Sequence, residues 1–271
     1  MTAQPKGKLI IIGGHEDKKD ELQILKEVVK AANGGKLVIV TAATQEPEAI
    51  AQDYTKVFKK LGVKNIGVLD IRVREDAHKQ DHLDILTNAK VVFFTGGDQL
   101  RITSQIGDSP VYQCMQELYQ NGTIIAGTSA GAAAMPATML VSGAGDESSR
   151  ISALGMAPGL GLLSQVVIDS HFAERGRIGR LLGAVAQNPK NLGVGIDEDT
   201  AIVVEQEKKL RVIGSGAVYI VDGSTISYSS LSEEQPEGVL SIYDVRLHVL
   251  GDGDHFDLVE RQPVIREAAH S

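Results

Sequence analysis

Residues Thr123–Met135 read TIIAGTSAGAAAM. An apolar run breaks at Gly127-Thr128-Ser129-Ala130-Gly131 and resumes as an alanine-rich stretch. This is a G-x-S-x-G pattern placed between a strand and a helix, the setting in which the pattern carries chemistry. A turn of this kind holds its serine in a strained backbone conformation, with chain pressed close on both sides. Gly127, Ala130, Gly131, Ala132 and Ala133 supply the small residues such crowding requires. A helix starting behind Ser129 would also aim unpaired N–H groups and a positive dipole end at developing charge. Five-residue patterns recur by chance in Gly/Ala-rich turns, so the reading depends on what else reaches the same place.

Upstream, short β-branched runs alternate with helical periodicity. Lys8–Ile12 predicts a buried strand ending at Gly13-Gly14, and Asp17–Ala32 a helix with Leu22, Leu25, Val28 and Val29 on one stripe. Lys36–Thr41, Asn65–Ile71 and Lys90–Thr95 predict further strands, with helices over Pro47–Leu61 and His82–Asn88 between them. The last of these strands ends in Gly96-Gly97-Asp98-Gln99, and helical segments around Gln99–Ile106 and Val111–Asn121 lead into the elbow. Such alternation implies right-handed crossovers and a mostly parallel sheet flanked by helices. Ligands bind such sheets beyond the C-terminal strand ends. Gly13-Gly14, Gly96-Gly97 and Ser129 all sit at those ends.

Downstream, Pro136–Leu163 is Gly-rich and irregular, and Glu147 lies within it. Gln165–Asp169 predicts a strand delivering Ser170-His171-Phe172, followed by a helix over Glu174–Asn188 that carries Arg175, Arg177 and Arg180. Leu192–Ile196 predicts a strand ending in Asp197-Glu198-Asp199. The remainder alternates in short strands with tight turns and predicts antiparallel hairpins. No linker or composition break divides the chain, so a single α/β domain over residues 1–271 is expected.

Composition narrows the function classes. Hydrophobic residues make up 42% and aromatics only 4%, so the core is built from Val, Ile, Leu and Ala, as in sheets covered on both faces. A net charge of −8 argues against nucleic-acid or anionic-membrane partners. The single Cys114 excludes an internal disulfide framework and fits a reducing compartment. No run of about 18 apolar residues predicts a membrane span. A cytoplasmic protein is expected. Gly13-Gly14 is not a dinucleotide fingerprint, and neither a Walker motif nor a cysteine cluster is present. No cofactor or metal is expected.

A serine nucleophile needs a base, and the base a third group to orient it. His78 and His82 lie in a charged segment, His255 in a hairpin turn and His270 in a tail. His15, after Gly13-Gly14, is a reserve candidate. His171 stands at the end of a buried strand on the edge where Ser129 belongs, and is the preferred base. The acid has two candidates. Glu198 sits at another strand end, which places side chains more rigidly than the loop holding Glu147 does. Ala130 N–H and Gly97 N–H are the expected oxyanion donors. Arg175, Arg177 and Arg180 form a local positive patch suited to bidentate capture of carboxylates. Asp98, Gln99 and Asp169 offer acceptors for a cationic group, so a substrate bearing both carboxylates and positive charge is expected.

Four segments carry a family resemblance: Gly96-Gly97-Asp98-Gln99-Leu100, Gly127-Thr128-Ser129-Ala130-Gly131-Ala132, Asp169-Ser170-His171-Phe172 with its arginines, and Gly195-Ile196-Asp197-Glu198-Asp199-Thr200. In order and spacing the chain resembles cyanophycinases, serine peptidases related to aspartyl dipeptidases and built on a glutamine amidotransferase-like, flavodoxin-like α/β core. The resemblance implies a homodimeric exopeptidase. Its substrate would be cyanophycin, a polyaspartate bearing arginine on each side-chain carboxyl, released as β-Asp-Arg dipeptides. The alternative is a dipeptidase for short aspartyl or isoaspartyl peptides. By position the resemblance makes Ser129 the nucleophile, His171 the base and Glu198 or Glu147 the acid. It makes Gln99, Asp169, Ser170, Arg175, Arg177 and Arg180 substrate-binding residues. Ser170 stands where the family has glutamine.

Overall fold

The computed structural model describes residues 6–142, 154–232 and 239–265. The first half alternates as its sequence predicts: β1 (Lys8–Ile12), α1 (Gln23–Ala32), β2 (Lys36–Val40), α2 (Pro47–Lys60), β3 (Ile66–Leu69), α3 (Gln80–Leu86) and β4 (Ala89–Phe94). Then come α4 (Gln99–Ile106), α5 (Pro110–Gln120), β5 (Ile124–Thr128) and α6 (Ala130–Ala133). The second half holds β6 (Thr138–Ser142), β7 (Gly155–Pro158), β8 (Val166–Ser170), α7 (Ile178–Gln187), β9 (Leu192–Ile196), β10 (Thr200–Glu205), β11 (Lys209–Gly214) and β12 (Val218–Asp222). Five short strands complete it: β13 (Tyr228–Ser229), β14 (Ile242–Tyr243), β15 (Arg246–Leu250), β16 (His255–Asp257) and β17 (Gln262–Val264).

A nine-stranded sheet runs β17-β16-β11-β10-β1-β5-β4-β2-β3. Strands β1 to β5 pair in parallel, and β10, β11, β16 and β17 extend the sheet in antiparallel fashion. Strand β1 shows how the sheet divides the core, because successive side chains point to opposite faces. Leu9 and Ile11 pack with Val92, Phe94 and Ile125, whereas Ile10 and Ile12 pack with Leu37, Val91 and Phe93. Residues of α1 and α2, among them Leu25, Val28, Tyr54 and Phe58, cover the second face. The first face is covered by α3, α4 and α5 and by one side of a four-stranded sheet, ordered β15-β12-β9-β8. Helix α7 packs Leu181 and Val185 on the outer side of that sheet, against Val167 and Val221. The central strands of both sheets are therefore buried, and runs such as Leu-Ile-Ile-Ile in β1 are fully enclosed. Each such side chain contributes on the order of 1.5–3 kcal/mol through burial.

The α/β class, the parallel core and the antiparallel C-terminal pairs agree with the sequence reading. Three local features differ. Strands β8 and β9 do not extend the main sheet. The chain turns after Asp199 and lays β10 beside β1, Ile10 facing Val203, so that edge is closed to a further parallel strand. The first helix starts at Gln23 instead of Asp17. The Asp17 carboxylate accepts the N–H groups of Lys19, Asp20 and Leu22, which winds this segment into a turn. The last long helix starts at Ile178 instead of Glu174. Ala173 N–H donates to Asp197 Oδ1, and Arg177 N–H returns to the Phe172 carbonyl, so residues 172–177 form a tight turn.

Candidate active site

Ser129 is set by crowding. Its backbone takes φ 53° and ψ −112°, sparsely populated for any side chain bearing a Cβ, and its N–H donates to the Ile12 carbonyl at 3.0 Å. The elbow closes because Gly131 lies against Phe94. A Cβ on Gly131 would meet the Phe94 carbonyl at 2.6 Å. Helix α6 is a single turn, shorter than the alanine run suggests, and Pro136 follows just beyond it. Its first N–H groups, rather than a long dipole, are what it presents to Ser129.

His171 follows β8 and Glu198 follows β9, parallel neighbours in the smaller sheet, Ser170 facing Ile196. His171 is joined to the main sheet by its N–H, which donates to the Gly13 carbonyl at 2.8 Å. Like Ser129, it adopts positive φ (49°). These restraints bring three side chains into a line. Ser129 Oγ lies 2.9 Å from His171 Nε2, and His171 Nδ1 lies 2.7 Å from Glu198 Oε1. The other carboxylate oxygen, Oε2, lies 2.8 Å from Nδ1 of His15. Glu147 falls outside the described residues.

Electrostatics favour a neutral imidazole beside an ionised carboxylate. Burial drives the His171 pKa below its ordinary value, against the opposing pull of the Glu198 hydrogen bond and charge. Burial pushes the Glu198 carboxyl up, but hydrogen bonds and charge from His171 and His15 together hold it below the usual glutamate value. An imidazole that accepts from Oγ at Nε2 and donates from Nδ1 to a carboxylate can take the serine proton and carry the charge that follows.

Two cavities meet at Ser129. One, of about 340 Å³, is lined by Gly97, Gln99, Ala130, Asp169 and Ser170, and by Arg175, Arg177 and Arg180. Among the described residues, the N–H groups of Gly97 and Ala130 have no backbone partner, and both residues border this cavity with Ser129. Gly97 has φ 144° and sits where a Cβ would meet the Ala43 carbonyl at 2.2 Å. The three arginines are not equivalent. Arg177 Nη1 bonds Asp169 Oδ1 at 2.9 Å, and Arg180 Nε lies 3.1 Å from Asp169 Oδ2 without hydrogen-bond alignment. Burial pushes the Asp169 carboxyl up, opposed by Arg180 and Arg177. Arg175 is exposed and has no carboxylate partner among the described residues. Asp98 accepts the Leu100 N–H to cap α4, and Gln99 Nε2 donates to the Leu140 carbonyl at 2.7 Å. Asp169, Asp98 and the Gln99 amide nitrogen are thus already engaged, and the net character of the cavity is cationic.

The second cavity, of about 350 Å³, lies on the other side of Ser129 and is lined by His15, Glu16, Lys18, Tyr54, Thr128 and His171. Glu16 is buried and accepts hydrogen bonds from Tyr54 Oη and from Thr128 Oγ1 at 2.6 Å. The hydroxyl beside Ser129 is therefore pinned by a buried carboxylate. Sequence reasoning held His15 in reserve as a base and did not identify Glu16 or Tyr54. The signal available was a strand end, Gly13-Gly14, followed at once by two titratable residues. His78 and His82, discounted from sequence, bond backbone carbonyls of Arg74 and Asp76.

Residues 9–212 match the model of peptidase family S51. The chain belongs to that family. It is 36% identical to a cyanophycinase of Geminocystis herdmanii over 97% of this chain and 98% of the relative. It is also 39% identical to a cyanophycinase of Synechococcus elongatus, over 95% of this chain and 81% of the relative. Among solved structures it is similar to a peptidase from an acI-B1 actinobacterium, with a TM-score of 0.67 at 22% identity, covering 90% of this chain and 98% of that one. That likeness is one of fold.

Proposed function

We propose that this S51 peptidase is a serine exopeptidase that hydrolyses cyanophycin to β-Asp-Arg dipeptides. The observation that carries the reading is the hydrogen-bonded line Ser129–His171–Glu198 opening onto a cavity bordered by three arginines. The identity of 36–39% to cyanophycinases over most of both chains supports the choice of substrate.

In the proposed reaction Ser129 Oγ attacks the backbone amide carbonyl while its proton passes to His171 Nε2. Glu198 holds the imidazole through Nδ1 and balances its charge. The N–H groups of Gly97 and Ala130 receive the oxyanion, each worth about 3 kcal/mol in the transition state. His171 then gives its proton to the leaving amine, which departs from an ester on Ser129. Water attacks that ester with His171 again as base, releasing the carboxylate product and restoring the serine. Arg175 binds a substrate carboxylate as a bidentate partner, with Arg177, Arg180 and Asp169 forming the wall behind it. Gln99 and Ser170 line the same wall. Ser170 is shorter than the glutamine usual there, which leaves room for the substrate side chain.

A panel of substrates tests this reading. Purified protein is incubated separately with insoluble cyanophycin and with short aspartyl and isoaspartyl dipeptides, and soluble products are weighed by mass spectrometry. Release of β-Asp-Arg from the polymer is expected. Cleavage of the dipeptides alone would overturn it in favour of a dipeptidase.

The protein is further proposed to act in the cytoplasm as a homodimer. No helix among the described residues is long and apolar enough to cross a membrane. Leu247 and Val249 stand exposed on β15, the edge of the smaller sheet, as a surface for the second copy. Sedimentation of the wild type against a Leu247→Asp variant checks that assignment.

A further inference from the structure

The carboxylate of Glu198 serves two imidazoles, one more than the serine chemistry requires. Oε1 faces His171 Nδ1 at 2.7 Å and Oε2 faces His15 Nδ1 at 2.8 Å, and the two rings meet edge to face with centroids 5.1 Å apart. One ligand atom from each residue lies within 4.8 Å of the others. His15 is the outer member, its side chain 73% exposed, whereas His171 is buried. It also adopts φ 46°, so its backbone is held in a costly conformation that keeps the ring on Glu198.

From this arrangement we propose that His15, His171 and Glu198 form a binding site for a borderline transition-metal cation such as Zn²⁺, and that occupancy switches off Ser129. Two imidazoles and a carboxylate are a donor set that binds zinc with a fourth position left for water. Ligand lengths near 2.0–2.2 Å set neighbouring donor atoms about 3.3 Å apart in a tetrahedral site. The two imidazole–carboxylate pairs, at 2.7 and 2.8 Å, must each open by roughly 0.5 Å to reach that spacing. This takes a small shift of the part-exposed Glu198 carboxylate together with one of His15, the solvent-facing ring on a turn. Glu174, whose Oε1 accepts the Glu198 N–H at 3.3 Å, adds negative charge nearby, and Arg175 opposes it.

The consequence for the serine follows from proton bookkeeping. In the metal-free site the His171 imidazole keeps its proton on Nδ1, facing the carboxylate, with Nε2 free to accept from Ser129. A cation bound through Nδ1 of His171 takes the place of that proton, which moves to Nε2 of the same ring, so His171 stays neutral and releases none. His171 Nε2 then presents an N–H to Ser129 Oγ in place of a lone pair, and the serine has no base. Hard cations such as Mg²⁺ prefer all-oxygen sites and do not compete.

Zinc binding is measured on the Ser129→Ala protein, which retains all three ligands, by competition with a chromophoric chelator. Because no substrate is present, the outcome is independent of the peptidase assignment. One equivalent of zinc is expected per chain. His15→Ala and His171→Ala, each checked for folding by circular dichroism, should weaken binding at least about 100-fold, beyond the 10–100-fold typical of losing a group behind a ligand. In the intact enzyme zinc should inhibit reversibly by EDTA, magnesium should not, and His15→Ala should raise the half-inhibitory zinc concentration by the same factor as its loss in affinity. Unchanged zinc affinity in His15→Ala, or no stoichiometric binding, overturns the site.

Discussion

The imidazole of His171 fills the space that a side chain on Gly14 would need. A Cβ at Gly14 would stand 2.3 Å from Cε1 and 2.5 Å from Nε2 of that ring, and Gly14 itself has φ 110°. The turn after β1 is therefore a template for the His171 imidazole as well as a connection. Gly14→Ala must displace the ring or the turn. A displacement of about 1 Å can cost on the order of 100-fold in rate. Gly14→Ala is expected to lose at least that much kcat while remaining folded, as read by steady-state kinetics beside thermal denaturation. Wild-type kcat in the variant would contradict the packing argument.

What the sequence could convey follows from how far each signal reaches. Continuous apolar runs such as those of β1 and β4 made the parallel core legible, because a strand buried on both faces has no polar period. The elbow was legible from its own strand–turn–helix pattern, and the strand-end His171 and Glu198 because parallel neighbours deliver their last residues side by side. The separate four-stranded sheet was not, since pairing partners are long-range and β10 competes for the edge of β1. The engagement of Asp169 by Arg177 and Arg180 was equally hidden, because charges eight and eleven residues apart pair only through the turn at residues 172–177. His15 and Glu16 lie far in sequence from Ser129, so no local pattern tied them to it.

The acid is decided by replacing each candidate in turn. His171 Nδ1 already has a partner in Glu198, so Glu198→Gln keeps the shape but removes the charge and the preferred tautomer. A loss on the order of 10⁴ in kcat is expected. Glu147→Gln should leave kcat within about tenfold, or ~1.4 kcal/mol. Reversal of the two effects would transfer the role to Glu147.

The pH profile follows from the burial of His171. As the proposed base, His171 is active only when neutral, and burial lowers its pKa from the ordinary 6.5. The acid limb of kcat/KM should therefore have its midpoint below pH 6.5. The stability that this group contributes is complete above pH 6.5 and is lost as pH falls toward its lowered folded-state pKa. An acid limb centred above 6.5 would contradict the assignment.

The arginine cavity separates stability from affinity. Asp169→Ala leaves the buried Arg180 without its counter-charge and should destabilise by about 3–5 kcal/mol in urea denaturation. Arg175 is exposed and supports no internal pair, so Arg175→Ala should leave the urea midpoint unchanged. It should raise KM about tenfold with a smaller change in kcat. An Arg175 variant that loses stability but keeps its KM would reverse the roles.

In the proposed reaction Ser129 cleaves the cyanophycin backbone through an ester. Wild-type and Ser129→Ala proteins are incubated with insoluble cyanophycin in EDTA, and clearing of the suspension is followed together with the mass of the soluble products. The wild type should clear the suspension and release β-Asp-Arg, and Ser129→Ala, with an unchanged circular dichroism spectrum, should release none above the uncatalysed level. Equal release by both proteins, or none by either, would contradict it.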